Sequence, residues 1–287
     1  MPSSLGKPLL TALVDDAAVF PPGSAALEDA VPAHAGHRES WYAPLIGPLL
    51  IPVTDLDAFR ALAPPGTGVG LVGEPGAIES ALGDLPGGTR QIESPVAKRG
   101  EDPLPGVERL AALMRKNEEP WQWYFELPLA WGLMSALDAV AALRAEGLPA
   151  AAKFRTGGLA AELFPSPVEL AAVICACRDR DLPFKLTAGL HHAIRHTDAE
   201  TGLVHHGFLN ILVAVLAAAD GAEPADLAGT LAATDAYPLA DQARAALDRE
   251  RPLGVGFGSC SVQDPVADLA ALGLLDRPRP SPAATPS

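Results

Sequence analysis

Eight short apolar runs alternate with eight helical patterns along these 287 residues, and that alternation confines the chain to a few α/β architectures. The runs lie at 9–16, 48–53, 68–72, 90–94, 122–127, 150–156, 183–189 and 254–259. Helical spacing follows at about 24–37, 55–63, 75–84, 106–116, 130–146, 167–180, 207–219 and 265–273. Several helix starts are marked: Ser166-Pro-Val-Glu169 joins an N-cap, a first-turn proline and a capping-box glutamate, and Asp264-Pro265 repeats the cap and proline. Eight βα units in one chain predict a single (β/α)8 TIM barrel over residues 1–274, with one or two extra helices between strands seven and eight. An open doubly wound sheet is the rival arrangement of the same units. The proline-rich stretch 275–287 reads as a disordered tail.

Side-chain alternation gives the strands an inner and an outer face. On strand six Ala152 and Phe154 face the helices while Lys153 and Arg155 point into the barrel, and on strand seven Lys185 and Thr187 point in. Strand five turns Gln122, Tyr124 and Glu126 inward, and strand four does the same with Gln91 and Glu93. Burying an unpaired ammonium costs several kcal/mol, so buried lysines are paired, neutralised or used in chemistry. Two ammonium groups held close together disfavour each other's charge, which predicts that Lys153 or Lys185 is neutral and nucleophilic. A neutral lysine attacks a carbonyl to give a Schiff base. Glu126 and Glu93 then move protons, and Arg155 holds a carboxylate or phosphate. The bland counterpart is a buried salt-bridge network that only fills the barrel.

The late strands carry a resemblance. Lys153-Phe-Arg-Thr-Gly157, Lys185-Leu-Thr-Ala-Gly189 and Gly256-Phe-Gly-Ser-Cys-Ser261 resemble the corresponding strands of deoxyribose-phosphate-aldolase-like class I aldolases. The resemblance implies a TIM barrel in which Lys153, before the Thr156-Gly157 turn, forms the Schiff base and Lys185 tunes it. It also implies that backbone amides after strands seven and eight hold phosphate. Phe154 and Arg155 stand where that family has small residues, and the third strand, Gly68-Val-Gly-Leu-Val72, has no matching acid.

Three further groups are candidates. Five of the seven histidines lie between 191 and 206, after strand seven. Of these, His191, His192 and His206 are expected at the substrate as contacts or acid–base groups, with Asn210 one turn into the next helix. The same loop, with Glu126 or Asp198, is the basis for a metal site, although strand one lacks the His-x-His of metal-dependent barrel hydrolases. Backbone amides at Gly189 and across Gly258-Ser259-Cys260-Ser261 are expected to cradle an anion. Asp15 and Asp16 end strand one and point in different directions; Asp16 is read as a ligand for a hydroxyl or metal, against a simple strand terminator. No histidine adjoins Cys260 in sequence, so it is read as packing.

A net charge of −14 repels nucleic acid and anionic membrane surfaces. Asp15 and Asp16 interrupt the apolar core that a signal peptide needs, and the run 209–219 is too short to span a bilayer. Three cysteines without a disulfide pattern suit a reducing, cytoplasmic compartment. Neither a Gly-x-Gly-x-x-Gly turn nor a Walker motif stands at a strand-to-helix junction. The leading expectation is an aldolase-like lyase for a small anionic carbonyl compound, needing no cofactor. A metal-dependent hydrolase or isomerase and a non-catalytic metabolite-binding barrel are the alternatives. A homo-oligomer packed through the helical shell is also expected.

Overall fold

The computed structural model describes residues 7–158 and 160–277. The barrel strands are β1 (Val14–Asp16), β2 (Ile46–Pro52), β3 (Val69–Val72), β4 (Thr89–Pro95), β5 (Gln122–Glu126), β6 (Ala150–Arg155), β7 (Phe184–Thr187) and β10 (Gly256–Ser259). They close in sequence order, every neighbouring pair parallel, with β10 returning to β1. The chain is a (β/α)8 barrel. A two-stranded antiparallel hairpin, β8 (His196–Thr197) and β9 (Val204–His205), stands on the loop after β7.

Helices α1 (Leu27–Glu39), α2 (Leu56–Leu62), α3 (Pro75–Ala81), α4 (Leu104–Arg115), α5 (Leu133–Ala145), α6 (Pro167–Arg178), α7 (Phe208–Ala219) and α10 (Gln263–Ala271) cover the strands. The Ser166–Glu169 capping box forms as read from sequence. Both extra helices are present, α8 (Pro224–Ala232) and α9 (Ala236–Ala245). They explain why α7 is apolar on nearly every side: it is buried between the barrel and this added layer.

Strand one is shorter than expected. Pro8–Leu10 forms a 3-10 turn, and only Val14–Asp16 pairs with its neighbours. Leu9 and Leu10 are buried, and Arg251 donates to the carbonyls of Leu9, Thr11 and Ala12, fastening this segment to the chain that leads into β10. Of the tail read as disordered, residues 278–287 lie outside the described residues. In the part before them Leu275 N donates to Leu269 O and the exposed Asp276 pairs with Lys7 at 3.0 Å.

The outward strand residues Trp123, Phe125, Phe154 and Phe184 are fully buried against the helices. The inward face is divided. Strands β1 and β4 to β7 contribute polar side chains, and β2 and β3 place glycines opposite some of them. A Cβ on Gly47 would lie 1.8 Å from Asp15 Oδ1, and one on Gly70 would lie 2.8 Å from Gln91 Cγ. These two positions are empty so that the polar side chains can occupy the barrel axis. We expect Gly47→Ala to lower stability by about 1–3 kcal/mol by overpacking. Urea unfolding checks this, and an unchanged midpoint would contradict the packing.

Candidate active site

The polar interior is a chain of alternating charges. Glu93, fully buried on β4, lies between two ammonium groups: Lys153 Nζ is 2.7 Å from Glu93 Oε2, and Lys185 pairs with Glu93 Oε1. The Lys153 contact is an ion pair without hydrogen-bond alignment. Lys153 also lies 2.8 Å from Glu126 Oε2, and Lys185 also pairs with Asp15. Gln91 Nε2 donates at 2.7 Å to both Asp15 Oδ2 and Glu93 Oε1. The Tyr124 ring lies 5.3 Å from Lys185 Nζ, within cation–π range. Strand register builds this order, because Glu126 is level with Lys153, and Lys153 with Lys185.

The electrostatics of the pair runs against the expectation of a neutral lysine. Burial disfavours the charge on both amines, yet Glu93 and Glu126 outweigh it at Lys153, and Asp15 and Glu93 outweigh it at Lys185. Both pKa values are held above the ordinary lysine value. The repulsion between the two ammonium groups is real but smaller than these attractions. Burial likewise opposes ionisation of Glu93, and Lys153 and Lys185 overcome it and bring its pKa down to about 2. Glu126 is lowered too, against burial, by Lys153 and then Arg155. Asp15 goes the other way, because burial and the nearby Glu93 charge exceed the pull of Lys185 and Gln91.

A cleft of about 300 Å³ opens at the carboxyl end of β4 to β6. Glu126 and Arg155 form its inner wall, Lys98 and Arg99 bring further positive charge, and Leu127 and Phe164 supply apolar surface. The Arg155 side chain is half exposed and reaches Glu126 Oε1 at 3.4 Å, a contact loose enough to yield to a ligand. Lys153 stands behind Glu126, away from the cleft lining.

Other expected site residues are occupied elsewhere. Thr156 is buried and donates its hydroxyl to the carbonyls of Thr187 and Ala188, so it ties β6 to β7. Gly157 allows that approach, since a Cβ there would lie 3.0 Å from Ala188 O. Asn210 is fully buried, accepting from Arg195 N and donating to the carbonyls of Thr230 and Ala233, which fastens α7 to α8. His206 is buried against Pro165 O at 2.7 Å, and burial lowers its pKa to about 4. These three are braces, because each side chain that looked available in sequence satisfies backbone groups instead.

Asp16 points outward to His34 on α1 at 3.0 Å and accepts from Ala18 N; its neighbour Asp15 takes the inward place. His192 is exposed and pairs with Asp268 at 3.3 Å. Thr187 sits half-buried at the mouth, level with Arg155. In the expected anion cradle Ser261 N donates to Ser259 Oγ, so that amide is engaged within the turn, and beyond the cradle Asp264 N donates to Ser261 Oγ. Gly258 is buried level with Asp15, and the carbonyl of Gly189, at φ +80°, accepts from His205 Nδ1. Among the described residues no group of three or more His, Cys, Asp or Glu side chains is placed to hold a metal ion. Among the described residues no helix is long and apolar enough to cross a membrane.

Asp15 was the central residue that sequence reading passed over. Its signal was present: Val14 is apolar and outward like the middle residues of the other strands, which turns Asp15 inward. No protein-family model matches the chain, and no curated protein does.

The charge chain predicts an acid-sensitive fold. A carboxylate held below its ordinary value stabilises the folded state fully above that value, 4.5 for Glu93, and this stabilisation is lost as pH falls towards about 2. Asp15 has the opposite sign and offsets part of the loss. We expect Glu93→Gln to cost about 3–5 kcal/mol at neutral pH, because two ammonium groups lose their shared partner. It should also flatten the decline in stability below pH 4.5. Urea unfolding at several pH values checks both, and a variant as stable as the parent would contradict the assignment.

Proposed function

We propose that this barrel is an aldolase-like lyase acting on a small anionic carbonyl compound, phosphorylated or carboxylated, in the cleft at the carboxyl end of β4 to β6. One observation carries the reading: Glu126 and Arg155 share the cleft wall, and a charged Lys153 backs Glu126 at 2.8 Å. Lys98, Arg99 and Arg155 bring cationic groups to a cleft that Glu126, Glu162 and Glu169 also line, and these cations are the groups that can pair with a substrate anion. This location is where barrels of this kind keep their chemistry.

A substrate anion competes with Glu126 for Arg155. Losing that partner raises the basicity of Glu126, which then moves the proton needed to make or break the bond beside the carbonyl. Lys153 supplies fixed positive charge behind Glu126, which favours the developing enolate. This route departs from the aldolase resemblance at one step. For Lys153 to attack as an amine it must release its proton to Glu126, and the raised lysine and lowered glutamate place that transfer uphill. The route that leaves Lys153 protonated is therefore the favoured one. Three free cysteines, two of them buried on α6, suit a reducing cytoplasm as its setting.

Exchange of α-hydrogens in D2O with pyruvate, oxaloacetate and dihydroxyacetone phosphate tests the reading. We expect exchange or cleavage with at least one of them, a loss of about 100-fold or more in Glu126→Gln, and weakened substrate affinity in Arg155→Met. Borohydride added to the same mixtures should leave Lys153 unmodified. A trapped Lys153 adduct would replace the enolate route with the Schiff-base one. Absence of exchange, cleavage and binding across the panel would overturn the enzyme reading.

A further inference from the structure

Cys260, at the end of β10, has the partners of a nucleophile. Its Sγ lies 3.6 Å from His191 Nε2, although 69 residues separate the two in sequence. The other ring nitrogen faces oxygen atoms: Nδ1 is 3.4 Å from Ser259 Oγ and 3.6 Å from Asp264 Oδ2. Ser259 Oγ donates its own hydrogen to Ser261 O at 2.8 Å, so towards His191 it acts as an acceptor. Nδ1 therefore carries the imidazole proton, and the Nε2 lone pair is aimed at the thiol. The Nδ1 distances are long, as catalytic hydrogen bonds often are before substrate binds.

We propose that Cys260, His191 and Asp264 form a second reactive centre at the barrel mouth, in which the thiol adds reversibly to a small aldehyde. His191 is the base and Asp264 its positioning residue. Burial lowers the pKa of His191 against the pull of Asp264, so the imidazole rests neutral with its Nε2 lone pair unprotonated. Burial raises the thiol pKa, opposed by the backbone N–H groups of Gly23 and Cys260, so the resting pair is thiol and neutral imidazole. In the step, the Sγ proton passes to His191 Nε2, the sulfur forms a bond to the carbonyl carbon, and the C=O π pair moves to oxygen. The proton on Nε2 then returns to that oxygen, giving a hemithioacetal with no oxidant or leaving group required. Other titratable neighbours are His192 and His205 around His191, and Asp264 near the thiol. Cys175 and Cys177 on α6 are buried and serve as internal controls. The choice of an aldehyde rests on the carbonyl substrate proposed above; the reactivity of the thiol does not.

The test is alkylation of the full chain by iodoacetamide between pH 5 and 9, with peptide mass mapping. Cys260 should react at least about 10-fold faster than Cys175 or Cys177. His191→Gln should slow it about 10-fold and change the pH profile, and Asp264→Asn should act in the same direction with a smaller effect. The rate is read with no carbonyl substrate present, so its outcome is independent of the Glu126 and Arg155 cleft proposed above. Acetaldehyde should protect Cys260 reversibly in the parent chain and less in His191→Gln. A Cys260 rate equal to that of Cys175, or one indifferent to both His191→Gln and Asp264→Asn, would overturn the reactive centre. Fast alkylation without protection by acetaldehyde would overturn its aldehyde ligand alone.

Discussion

The Glu93 carboxylate, sealed inside the barrel between Lys153 and Lys185, is the contact on which the remaining interior depends. Neither lysine can be buried charged without it, and Glu93 cannot be buried ionised without them. Each lysine then takes a second carboxylate, Glu126 on one side and Asp15 on the other. The result spans β1, β4, β5, β6 and β7 through side chains alone. Such a network favours one arrangement of strands, since a one-residue slip of any of these strands would send its charged group into the apolar layer under the helices.

This constraint also separates stability from chemistry. The deep members, Asp15, Gln91, Glu93 and Lys185, each meet at least two polar partners, whereas Glu126 and Arg155 at the rim share a looser contact. Charge set deep in the barrel acts on the mouth through Lys153, which touches both Glu93 and Glu126. A polar core that looks costly in a folded protein thus maintains an ionised carboxylate where a ligand can reach it.

Much of this was legible in the chain because strand and helix periods are local. The alternation of Ala152, Lys153, Phe154 and Arg155 placed the lysine inside and the phenylalanine outside, and the βα count fixed the barrel. Which inward groups meet one another was less accessible. The protonation of the lysines depended on Asp15, whose inward direction was readable but whose partner lies 170 residues away. Braces were misread for a different reason: Thr156, Asn210 and His206 carry the same functional groups as binding residues, and only their contacts with backbone carbonyls and amides distinguish them. His191 beside Cys260 was invisible because loops, unlike strands, have no period from which to infer contact.

Protonation of the lysines tests the account most directly. With isotope-labelled lysine, the five side chains give few enough resonances to assign by Lys→Met substitution, and their shifts report ionisation as pH is raised. Lys153 and Lys185 should remain ammonium through the ordinary value of 10.5 and lose their protons only above it, or when the fold is lost. A midpoint near neutrality for either one in the folded protein would contradict the charge chain and restore a neutral, nucleophilic amine.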